Sequence, residues 1–144
     1  MPHALSARSW HFLPVALLLV LWHGALAFDY LNLWFDLFAP APAVMPALPL
    51  EALWLKVGWA MAVWLGLLAA VFLLFRDDAS VLLLFAAAVA MLATLVGVIA
   101  SGGAVALSGP LAALGWPGLV ACLALVPLLG WLYARWQKRR GALH

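Results

Sequence analysis

The chain has 144 residues, 69% hydrophobic and only 8% charged, with 7 basic and 5 acidic side chains and a formal net charge of +2. A soluble domain is about 45–50% apolar and about 25% charged. So few charges cannot coat a soluble surface, which excludes a soluble fold, a disordered tail and a nucleic-acid module and leaves lipid as the main solvent. A membrane-crossing helix needs about 20 mainly apolar residues. The first such window, SWHFLPVALLLVLWHGALAF, lies between Arg8 and Asp29 and predicts a helix over about 11–30. Arg8, the apolar stretch Val15–Trp22 and the triplet Ala25-Leu26-Ala27 also mimic a signal peptide with its cleavage site. Cleavage would leave three spans; the length of the stretch to Phe28 and the polar Trp22-His23 pair favour an uncleaved helix. Residues 31–50 read as a proline-rich loop. Its LNLWFDLF segment suits the membrane interface, and Pro40, Pro42, Pro46 and Pro49 make a stiff connection. The clean run Val57–Phe75 predicts a second helix over about 51–75. Arg76-Asp77-Asp78 then turns the chain into an antiparallel third helix over about 79–100. Ser101-Gly102-Gly103 and Ser108-Gly109-Pro110 are turn residues, and a fourth helix follows over about 111–135.

These elements predict a single all-α membrane domain over 1–144, an antiparallel four-transmembrane-helix bundle. Arg8, Arg76, Arg135, Lys138, Arg139 and Arg140 fall on the side of both termini, while the opposite side has only Lys56. The positive-inside rule makes that basic side cytoplasmic and puts Asp29, Asp36 and Glu51 on the periplasmic side of a bacterial inner membrane. No internal repeat is evident, so an inverted-repeat transporter within one chain is not supported.

Small residues form the clearest functional pattern. Gly58, Ala62, Gly66 and Ala70 recur every four positions, as do Ala86, Ala90 and Thr94, with a shorter stripe at Gly130 and Ala134. In lipid such stripes let backbones approach closely, either within one bundle or against another subunit or a second copy. Of nine tryptophans, Trp10, Trp131, Trp136, Trp34, Trp54 and Trp116 fit interfacial belts. Trp22, Trp59 and Trp64 sit deeper and are candidates either for bundle packing or for lining a ligand pocket. His23, Asp29, Glu51 and Lys56 are the ionisable candidates at membrane depth. Asp29 and Lys56 have the positions for an ion pair near the outer boundary. A relay from them would stop halfway, because the third and fourth spans lack acidic, basic and amide side chains. The segment Arg135-Trp136-Gln137-Lys138-Arg139-Arg140 reads as a stop-transfer anchor with the charge to attract anionic lipid.

Cys122 stands alone, so neither a disulfide nor a thiolate metal site is expected. His3, His11 and His144 are terminal or juxtamembrane and offer no pair of axial ligands. No Ser-His-Asp spacing, His-x-x-x-His pair or phosphate loop is present. The expectation is a non-enzyme without cofactor, metal or nucleic-acid partner.

GALAFDYL (24–31), WLKVGWAMAVWLGLL (54–68), the Arg76 turn and LYARWQKRRGAL (132–143) together resemble a family of small, mostly uncharacterised four-span bacterial inner-membrane proteins. Some of them carry a provisional sugar-transporter name. The resemblance implies an uncleaved first helix. Its pattern falls on Gly24, Phe28, Asp29, Tyr30, Trp59, Trp64, Gly66, Arg76, Tyr133, Arg135 and Gly141. In that family the third helix ends with a Tyr and an Asn after a Thr; here Thr94 is followed by Leu95, Val96 and Gly97, which removes polar groups a sugar pathway would use. The leading expectation is therefore a protein that acts through helix packing, as an accessory subunit of a larger membrane complex or a self-associating homo-oligomer. The alternative is a small-solute or proton-linked transporter using Asp29, Lys56 and His23.

Overall fold

Our computed structural model describes residues 10–37, 48–102 and 113–144. The four long elements within them are all helices: α1 (Phe12–Phe35), α2 (Leu53–Leu74), α3 (Ala79–Ala100) and α4 (Gly115–Arg139). The shortest has 22 residues, which at 1.5 Å per residue is about 33 Å, enough to cross a hydrocarbon core. Each is apolar nearly all round, with exposed leucines such as Leu18, Leu21, Leu82 and Leu129 on the outside. In lipid an α-helix satisfies its backbone groups internally, so such segments fold as helices whatever their individual propensities. The chain is a bundle of four helices, each long and apolar enough to cross a membrane.

The helix ends differ from the sequence expectation where local breakers decide. Helix α1 runs to Phe35 rather than stopping near residue 30, because no Gly or Pro interrupts LNLWF. It ends at Asp36, left-handed at φ 51°, whose N–H donates to the Asn32 carbonyl at 3.0 Å. The start of the expected interfacial loop is thus helical. Helix α4 begins at Gly115, where φ is +66°, rather than near 111. It continues through the basic anchor to Arg139, since nothing there breaks a helix before Gly141. Helices α2 and α4 end alike. Arg76 and Asp77 donate to the carbonyls of Leu73 and Phe72, both at 2.9 Å, while Gly141 and Ala142 donate to those of Lys138 and Gln137, both at 3.0 Å. Both are Schellman closures with a left-handed residue at the turn: Gly141 at φ 69° and, less comfortably, Arg76 at φ 64°. Arg8, Pro40, Pro42, Pro46, Gly103 and Ser108-Gly109-Pro110 lie outside the described residues.

The core falls into two clusters at opposite ends of the bundle. One, at the α1 C-terminal end, contains Leu26, Leu55, Trp59, Ala62, Val63, Met91, Leu95, Leu119 and Leu123. The other contains Phe12, Ala16, Leu19, Ala69, Ala70, Leu73, Leu84 and Ala134. Helices α1 and α3 run from the second cluster to the first, while α2 and α4 run back, so the bundle is up-down-up-down. The α2–α3 hairpin forms the most extensive interface; α1 packs on α2 and α4 on α3, and α1 meets α4 more sparsely. The basic residues Arg76, Arg135, Lys138, Arg139 and Arg140 share the end of the second cluster, as the alternating topology requires.

Candidate functional site

Between the two clusters lies a middle layer. His23 falls between Leu19 and Leu26, Gly66 between Ala62 and Ala70, Ala87 and Ala88 between Leu84 and Met91, and Pro127 between Leu123 and Gly130. His23 is fully buried, and neither ring nitrogen has a hydrogen-bond partner among the described residues. Gly66 makes room for it: a Cβ there would overlap the imidazole. Pro127 has no N–H, so the Leu123 carbonyl at this depth loses its donor within α4. A neutral imidazole carries one donor and one acceptor, and leaving such a buried group unmet costs about 1–3 kcal/mol. The other buried polar side chains each make at least one bond, although Gln137 Oε1 has no partner among the described residues. The Ser80 hydroxyl donates to the Asp77 carbonyl at 2.7 Å, that of Thr94 to the Ala90 carbonyl at 2.8 Å, and Gln137 Nε2 to the Tyr133 hydroxyl at 2.7 Å.

The remaining ionisable candidates lie elsewhere. Asp29 is half-buried, six residues beyond His23 and so about 9 Å further along α1. Glu51 is exposed. Lys56 is half-buried with its ammonium over the Trp34 ring, 5.3 Å from the centroid. No hydrogen bond joins His23 to any of them.

Most of the small-residue stripe on α2 is taken up inside the chain. Ala62, Gly66 and Ala70 are buried, and Gly58 faces Thr94 of α3, whose Oγ1 lies 2.5 Å from where a Cβ would stand. A four-residue step exceeds the 3.6-residue turn by about 40°. Two steps from Gly58 to Gly66 therefore swing the stripe by about 80°, from α3 round to α1 and His23. Gly130 is covered by Leu19 and Leu84. On α3, Ala86 and Ala90 remain half-exposed. With Gly58, Met61, Ala93 and Phe85 they line an apolar outer groove of about 560 Å3 between α2 and α3. The deep tryptophans separate: Trp59 belongs to the first core cluster and Trp22 packs against it. Trp64 is exposed and meets Tyr30 edge-on at 5.8 Å. The Trp22 indole N–H is buried without a partner.

The basic end carries a polar network that the sequence reading set aside. The Tyr133 hydroxyl accepts from Gln137 and lies 2.9 Å from His11 Nδ1, to which it donates when the ring holds its proton on Nε2. His11 stacks on Trp136 at 5.7 Å, and Arg140 covers the same indole at 3.7 Å. Arg76 lies over Phe12 at 4.9 Å, and Arg135 over Trp131 at 5.5 Å. Lys138 pairs with Asp78 at 2.7 Å. Beyond Gly141, Leu143 is buried and the His144 N–H donates to the Arg76 carbonyl at 3.0 Å. The i, i+4 spacing of Tyr133 and Gln137 was the available signal; their pairing with His11 depends on how α1 and α4 dock.

Among the described residues no three His, Cys, Asp or Glu side chains converge on a point that could hold a metal ion. No family model, no curated protein and no solved structure matches this chain.

Proposed function

We propose that the protein is a non-enzymatic integral membrane protein that works by helix packing, as an accessory subunit or a self-associating bundle. Both termini face the cytoplasm of a bacterial cell in this reading, because the basic residues gather at that end of the bundle. The observation that carries it is the outer α2–α3 groove, floored by Gly58, Ala86 and Ala90. The buried part of the α2 stripe is used within the chain, whereas this groove leaves small residues facing lipid. Close backbone approach is the main source of helix affinity there. The test is native mass in a mild detergent or nanodisc, with identification of whatever comigrates. Ala90→Leu fills the groove from a half-exposed position without entering the core. It is expected to release a stoichiometric partner or second copy while the chain stays folded; an unchanged assembly overturns the reading.

A second reading, small-solute or proton-linked transport, is favoured by His23, a buried polar side chain kept without a partner. The provisional name carried by some members of the resembled family points the same way. It predicts that His23→Leu abolishes solute- or pH-dependent flux in reconstituted vesicles, and unchanged flux removes it.

A further inference from the structure

At the basic end, between α3 and α4, a second groove of about 540 Å3 has two unlike halves. Its wall is Leu82, Phe85 and Trp131, with the two rings 5.2 Å apart. Its rim is Asp78, Arg135, Lys138 and Arg139, three cations against one carboxylate. Lys138 answers Asp78 at 2.7 Å; among the described residues neither Arg135 nor Arg139 has a carboxylate partner. Trp131 holds the Arg135 guanidinium beside the wall, 5.5 Å from the ring centroid. From Asp78 to Phe85 the wall climbs seven residues, about 10 Å, from the membrane boundary into the apolar zone.

We propose that this groove is a binding site for one anionic phospholipid of the phosphatidylglycerol type. Guanidinium groups bind phosphate oxygens through paired, charge-assisted hydrogen bonds, and the rim's uncompensated charge selects a headgroup that is negative overall. A zwitterionic headgroup would bring its own cation against Arg135 and Arg139. A free phosphate would use the rim and leave the apolar wall unoccupied, whereas an acyl chain lies along Leu82, Phe85 and Trp131. The inference depends on the membrane-spanning fold and not on the helix-packing role.

The experiment is native mass spectrometry of the full chain released from nanodiscs containing equal phosphatidylglycerol and phosphatidylcholine with matched acyl chains. The expected result is a single retained phosphatidylglycerol adduct. Arg135→Gln and Arg139→Gln each weaken it about fivefold, the loss that corresponds to about 1 kcal/mol per basic side chain at an anionic surface. Arg140→Gln, on Trp136 outside the groove, leaves it unchanged. Equal retention of the two lipids overturns the proposal. So does a preference that survives both substitutions, one lost equally in Arg140→Gln, or displacement of the adduct by inorganic phosphate alone. Arg139 is exposed, so its single substitution keeps the test readable should the Arg135 variant misfold.

Discussion

Gly66 and His23 define each other. The imidazole occupies the space a side chain at position 66 would need, in a layer whose other members are alanines and a proline. Gly66→Ala is expected to destabilise the bundle by about 1–3 kcal/mol, the usual cost of forcing extra volume into a packed core. Combined with His23→Ala, the cost should fall well short of the sum, because the colliding ring is gone. Reversible unfolding in detergent measures both; strict additivity would mean the two positions do not touch. Gly24 provides a contrast. A Cβ there meets nothing within 4 Å, so Gly24→Ala should cost less. Such differences are invisible in sequence, where glycines in apolar helices look alike. They depend on which neighbour fills the missing Cβ and whether that neighbour can yield.

At the level of elements, the α2–α3 hairpin is the best-anchored unit. Its turn closes through the Arg76 and Asp77 backbone bonds, and Asp77 Oδ1 accepts the Ala79 N–H at 2.8 Å, capping the start of α3. Asp77→Ala is expected to cost about 1 kcal/mol, as loss of an N-terminal cap does. The neighbouring Asp78→Ala removes only an exposed ion pair and should cost less. Thermal unfolding of both variants checks the order; a larger loss at Asp78 would contradict it. Arg76-Asp77-Asp78 was legible as a turn from its polarity alone. The left-handed Arg76 was not, because sequence statistics favour glycine there and Arg76 is held by packing over Phe12. The extension of α1 to Phe35 was missed for a related reason: LNLWF is equally compatible with an interfacial segment and with one more helical turn.

At the scale of the whole molecule, sidedness can be tested directly. Cys122 lies in the apolar middle of α4, half-buried, where a membrane-impermeant maleimide does not reach. Glu51→Cys and His144→Cys place thiols at opposite ends of the bundle. In intact cells Glu51→Cys is expected to label from outside and His144→Cys only after permeabilisation; the reverse pattern would invert the proposed orientation. The number of long apolar helices, their approximate places and the clustering of basic charge were determined by the sequence alone. A bilayer demands about 20 uncharged residues per crossing, and that demand is met or failed locally. Tertiary structure decided which small residues are spent inside the bundle and which stay on its outer surface. It also buried His23 without a partner, separated Trp64 from Trp59, and brought Arg135 and Arg139 to the mouth of one groove with Phe85. The helices are apolar nearly all round, so their sequences carry almost no record of which face turns inward. Only the fit of side chains between neighbouring helices sets that rotation.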